Sequence, residues 1–190
     1  HTQRRRQRQM CIRDRQYRAS ETDNIEAMNN LIEWLPKNIP DDDETTIVHG
    51  DYRLDNMILR NNEVIGILDW ELSTLGHPIA DFSYHCLSWR TQEAFWDEAK
   101  LKELGIPSEK EYMEMYCKYS GKDLSKNWEF YMAFNMFKIA GILQGILGRV
   151  RDGTAASKHA EERGNMVFPL SQAAWETICL LYTSDAADDV

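Results

Sequence analysis

Apolar residues recur at every third or fourth position through Ile25, Met28, Leu31, Ile32 and Leu35. That spacing gathers them on one helical face and predicts a helix over 20–35, with Ser20 as its N-cap. Pro36 and Pro40 then stop it. The period shortens afterwards: TTIVHG, NMILR and EVIGILDWE are brief β-branched or apolar runs that read as strands, and a polar loop separates the first two. From Pro78 the helical period returns. A helix over 78–89 opens on a proline suited to a first turn, and another over 91–104 is closed by Gly105 and Pro107. Ser108 and Glu111 form a capping box for a helix that reaches Tyr119. The long apolar stretch SKNWEFYMAFNMFKIAGILQGILGRV predicts a central buried helix, and a last helix is expected over 155–181. With no repeat and no linker, the pattern describes an α+β, mainly helical domain with a small β-segment carrying a polar loop.

At 190 residues and 22.2 kDa, with 43% hydrophobic and 28% charged residues, the chain has the makeup of one soluble globular domain. Charged or amide side chains interrupt the apolar stretches before the roughly 20 residues a bilayer crossing needs, so no membrane span is expected. Cys11, Cys86, Cys117 and Cys179 are too scattered for a zinc site or a disulfide framework, which points to a reducing compartment and a cytoplasmic location. The formal charge of −9 becomes more negative once the arginine-rich head is set aside. Such an acidic body repels nucleic acid. The run DDDE at 41–44 reads as a solvated loop rather than a metal site. The basic head, 1–18, and the small acidic tail, 182–190, continue no periodic pattern; both are expected to be non-native, leaving 19–181 as the domain.

The chemistry concentrates in VHGDYRLDN. An isolated His-Gly-Asp is usually a turn, in which Gly supplies an unusual backbone conformation and Asp caps its neighbours. Here it follows an apolar strand, an Asn stands five residues after the Asp, and a later strand ends in Asp69-Trp70-Glu71. Two carboxylates and an amide around one spot suit phosphoryl transfer, where an Asp accepts a hydroxyl proton while Asn and a second Asp give Mg²⁺ hard oxygen ligands. The string HxDxxxxN followed by Asp resembles the catalytic and metal-binding signature of the protein-kinase-like fold. With Gly50 in its second position and Asp-Trp-Glu in place of Asp-Phe-Gly, it is similar to the aminoglycoside phosphotransferase and choline kinase branch. GILDWELSTLGHPIADFSYHCLSWR most resembles the kinase-like domains joined to acyl-CoA dehydrogenases.

The resemblance implies the C-terminal lobe of that fold and a small-molecule kinase using ATP and Mg²⁺, with a small hydroxyl compound as substrate. It makes Asp51 the catalytic base, Asn56 and Asp69 the Mg²⁺ ligands, and His49 a brace for the loop. Arg53 takes a phosphate contact, with a surface ion pair to Asp55 as the competing reading. Glu71 reaches a second metal, or is simply a surface acid. Asp81 fixes the loop by hydrogen bonds; His77 and His85 read as loop and packed-helix residues. Gly141, Gly145 and Gly148 fit no nucleotide motif and are read as close helix packing. The six tryptophans read as core, with an aromatic cage for a quaternary ammonium as the alternative.

A complete enzyme of this fold also has an N-terminal lobe with a nucleotide-covering loop and a strand lysine. The residues from Ala19 to Val48 read as one helix and one strand, so that lobe is not expected here, and the chain alone is expected to turn over little. An acyl-CoA dehydrogenase-type partner or fused domain is implied by the same resemblance. The competing functions are a non-catalytic pseudokinase or interaction module and a metal-dependent hydrolase. The first has no need to keep Asp51, Asn56 and Asp69 together, and the second lacks a His-rich ligand set.

Overall fold

The computed structural model describes residues 2–42, 44–91, 98–124 and 127–188. In chain order the elements are α1 (Thr2–Ser20), α2 (Glu26–Trp34), β1 (Thr46–Val48), β2 (Met57–Arg60), β3 (Glu63–Ile67), β4 (Thr74–Gly76), α3 (Pro78–His85), α4 (Glu98–Glu103), α5 (Glu109–Ser120), α6 (Trp128–Arg151), α7 (Ala160–Gly164) and α8 (Val167–Asp188). They form two compact units: one built from the residues before Glu44 and after Trp128, the other from Glu44–Trp128.

The first unit is all helical. Met28, Leu31 and Leu35 are fully buried, and α2 packs against α8. The predicted helix over 20–35 is shorter than expected, because Ser20 belongs to the end of α1. Its hydroxyl donates back to the carbonyls of Gln16 and Tyr17, and its own carbonyl accepts from Gln144 Nε2 at 2.7 Å, so it cannot cap α2. Ile25, whose side chain makes no cap hydrogen bond, precedes α2 instead. Met10 and Tyr17 of α1 are buried in the same unit. By length and composition α6 is apolar enough to cross a membrane, but 61% of its apolar window is buried inside the protein, with Tyr131, Met132, Ala133, Met136, Phe137 and Ala140 essentially inaccessible. It is the buried helix the sequence predicts. The expected last helix is broken into α7 and α8, and Gly164 allows the break to press on α6, since a Cβ there would stand 2.9 Å from Leu147 Cβ. Of the three α6 glycines only Gly148 is needed for close approach, to Ser20; Gly141 and Gly145 have room for a methyl group.

The second unit holds the strands. β1 pairs antiparallel with β4, an element the sequence pattern did not predict, in the register Ile47↔Leu75. β2 and β3 form a hairpin closed by Asn61 and Asn62, both at positive φ, the backbone a two-residue turn demands and Asn tolerates. α3 starts at Pro78, and the buried His77 caps it, its Nδ1 accepting the Ile79 N–H. α5 starts at the predicted capping box, with Glu111 returning to the Ser108 N–H at 2.8 Å. Of the helix predicted over 91–104, α4 is present, and 92–97 lie outside the described residues. Phe82 stacks on Tyr116 with ring centroids 3.8 Å apart, and Trp89 stacks on Tyr112. Trp128 tilts against Phe82. These rings occupy one another's faces, the packing expected of core aromatics rather than of an open cage.

Candidate active site

Val48 is the last residue of β1, and it is buried. The chain then turns at Gly50, whose φ is +84°; a Cβ there would lie 2.7 Å from the Leu72 carbonyl oxygen, so only glycine fits. Asp81, in the first turn of α3, receives the turned backbone: its Oδ2 accepts the His49 N–H and its Oδ1 the Gly50 N–H, each at 2.8 Å. The loop-fixing role expected of Asp81 is therefore visible as two charge-assisted hydrogen bonds to backbone. His49 is 3% exposed. Its Nδ1 accepts the Asp51 N–H, so Nε2 carries the ring hydrogen and donates it to the Leu68 carbonyl at 2.8 Å. The ring also lies 4.9 Å from that of Trp70. His49 thus joins the Asp51 loop to the end of β3.

Asn56 closes the arrangement. Its Nδ2 donates to the Asp51 carbonyl at 2.8 Å and to Asp51 Oδ2 at 3.0 Å. Both partners are acceptors only, which fixes the amide with nitrogen inward and leaves Oδ1 as the oxygen available to a cation. The Asn56 carbonyl in turn accepts the Leu68 N–H at 2.8 Å. Leu68 is therefore held from both sides, by Asn56 and by His49, and the next residue is Asp69. Asp69 is exposed and sits in the left-handed region, φ 61° and ψ 56°, a conformation unusual for a residue with a Cβ. An amide oxygen and an exposed carboxylate from two segments joined by one backbone hydrogen bond are the hard-oxygen donor set that Mg²⁺ prefers. Among the described residues no group of three or more His, Cys, Asp or Glu forms a metal cluster.

Arg53 lies at the edge of this geometry, and Glu71 stands apart from it. Arg53 forms an ion pair with Asp55, both side chains largely exposed, as in the competing reading of the sequence. Glu71 is exposed in the single turn after Asp69 and, among the described residues, makes no hydrogen bond or ion pair that ties it to Asn56 or Asp69. Two residues that sequence reasoning did not place in the site belong to it. Tyr84 donates its hydroxyl to Asp51 Oδ1 at 2.8 Å. Its phenol is pushed up to about 12 by burial and then by the hydrogen bond and charge of Asp51, with Arg53 opposing. His85 donates from Nδ1 to the Tyr52 carbonyl, and its Nε2 accepts from Tyr112 of α5. Burial lowers its pKa against the smaller raising effects of the Tyr52 carbonyl and Asp81. The signal for both was their spacing: Asp81, Tyr84 and His85 stand at i, i+3 and i+4, on one face of α3.

A mainly helical α+β fold with an aspartate, an amide and a second aspartate at successive strand ends is the pattern of a kinase-like phosphotransferase. Comparison with known proteins agrees with that class. Residues 1–116 match the phosphotransferase enzyme family, and the chain belongs to it. It is 44% identical over 176 residues to acyl-CoA dehydrogenase family member 10 of Mus musculus and 40% identical over 172 residues to family member 11 of Homo sapiens, alignments that cover 89% and 87% of the chain. The chain spans only 16% and 22% of those two relatives. A crystal structure from Ralstonia eutropha JMP134, whose protein carries a provisional aminoglycoside phosphotransferase name, superposes with a TM-score of 0.82 at 48% identity, covering 90% of this chain and 54% of that one.

Proposed function

We propose that this chain is the catalytic part of an ATP-dependent phosphotransferase that phosphorylates a hydroxyl group of a small molecule. The observation that carries the reading is the joining of Asp51, Asn56 and the Asp69 turn through Asn56 Nδ2 and Leu68, which brings three segments to one spot. In this reading Asp51 orients the acceptor hydroxyl and takes its proton as the new O–P bond forms and the bond to the departing ADP breaks. Asn56 Oδ1 and the Asp69 carboxylate hold Mg²⁺, which supplies neutralisation of the charge spread over the transferring phosphoryl group. His49 keeps both halves in register. Arg53 is the residue proposed to meet phosphate, which requires it to leave Asp55; Glu71 would serve a second metal directly or through water.

Aminoglycosides, choline and hydroxylated acyl compounds are the candidate acceptor classes. The acyl-CoA dehydrogenase names of the relatives favour the last, and a fused dehydrogenase-type domain as the partner. The test is a screen of these acceptors with the full-length protein, coupled to ADP release, repeated with Asp51→Asn. Asp51→Asn is expected to cut turnover by at least about a thousandfold while the melting temperature stays close to wild type. Turnover retained in the variant would exclude the role of Asp51, and the absence of any magnesium-dependent thermal shift with ATP would favour a non-catalytic module instead.

A further inference from the structure

α3 touches the loop at three successive points. Asp81 holds the backbone of His49 and Gly50, Tyr84 holds the side chain of Asp51, and His85 holds the carbonyl of Tyr52. The first and third contacts fix backbone. The middle one differs, because it is made to a carboxylate oxygen. Asn56 Nδ2 occupies Oδ2 at 3.0 Å and the Tyr84 hydroxyl occupies Oδ1 at 2.8 Å, so the plane of the Asp51 carboxylate is set by one donor on each oxygen. A carboxylate oxygen accepts more than one hydrogen bond. Each therefore keeps a lone pair for an incoming hydroxyl, in a direction the two donors have already determined.

We infer that Tyr84 is a positioning residue for phosphoryl transfer: its phenol locks the rotamer of Asp51 so that the carboxylate meets the acceptor hydroxyl in line with the phosphate. The inference rests on the phosphotransferase reading above. Tyr84 is suited to the task because the aromatic ring is rigid and half-buried, and because a phenol pushed up to about 12 keeps its hydrogen throughout the neutral range. Arg53 borders the same phenol and opposes that rise through its charge and a hydrogen bond.

Tyr84→Phe keeps the ring and removes the donor. In the full-length protein, on the best acceptor of the ADP-release screen, kcat is expected to fall by roughly ten- to a hundredfold, with KM for ATP unchanged within about twofold. A loss of fold would instead lower the melting temperature and degrade both constants. A second readout is independent of turnover. With 3-fluorotyrosine incorporated, the fluorine resonance that disappears in Tyr84→Phe is expected to shift in Asp51→Asn. If kcat in Tyr84→Phe stays within twofold of wild type while Asp51→Asn is inactive, this inference is wrong and the phosphotransferase reading stands. If Asp51→Asn remains active, both fall. A Tyr84 resonance that does not respond to Asp51→Asn also overturns the inference, whatever the kinetics.

Discussion

At the residue scale, the turn that presents Asp51 depends on a missing side chain and a borrowed carboxylate. Gly50 combines a positive φ with a backbone oxygen of Leu72 where its Cβ would stand. Gly50→Ala meets both objections at once, and the opposing atom is main chain, which cannot swing away. The substitution is expected to cost about 1–3 kcal/mol, read as a lower midpoint in urea, and to lower turnover further by displacing Asp51. An unusual backbone at Gly50 was legible from its residue type, and the hydrogen bonds that Asp81 accepts were legible from the resemblance to the kinase-like signature. The left-handed Asp69 and the hydroxyl of Tyr84 were not. A positive φ at Asp leaves no mark in composition, and a tyrosine in a helix looks the same whether it packs against a ring or points at a carboxylate.

At the scale of elements, α3 joins the loop to α5 through His85. The ring donates to Tyr52 and accepts from Tyr112, and Tyr52, Trp89 and Tyr112 surround it in edge-on or tilted contacts. Burial makes its charged form costly, so its folded pKa lies below the ordinary value of 6.5. For a group depressed on folding, the stabilisation is present above the unfolded pKa and is lost as pH falls through the folded one. The protein is expected to lose stability as pH drops below about 6.5, more steeply than His85→Gln, whose denaturation midpoints at about pH 7.5 and about pH 5.5 should lie closer together. Elements were legible in the sequence where a local signal marked them: the Ser108 capping box, Pro78 and the two short apolar runs flanking the loop. They were misread where a distant partner decided, as at Ser20, which Gln144 and the α1 carbonyls claim. β4 went unseen for the same reason: its three residues become a strand only because β1 lies beside them.

At the scale of the whole molecule, the two units differ in how they are held. The helical unit buries Met28 and Leu31 of α2, which packs against α8 more than a hundred residues later in the chain. Leu31→Ala is expected to cost about 2–5 kcal/mol by leaving a cavity there, measured by chemical denaturation, and to spare the hydrogen bonds around Asp51. The strand-bearing unit instead leaves Ile47, Leu59, Leu72 and Leu75 more than half exposed, and relies on polar contacts and stacked rings. Family membership was legible in the sequence because it resides in a motif of fixed spacing. The partition into two units was not, since it depends on the contacts that chain segments make at long separation. The carboxylate of Asp81 lies about thirty residues beyond the turn that it clasps. During synthesis, a nascent chain that has emerged from the ribosome only as far as Glu71 already carries His49, Asp51, Asn56 and Asp69, yet the clasp and the phenol that would arrange them are still unmade. The arrangement proposed for phosphoryl transfer has to wait for a helix that contributes none of the proposed reacting atoms.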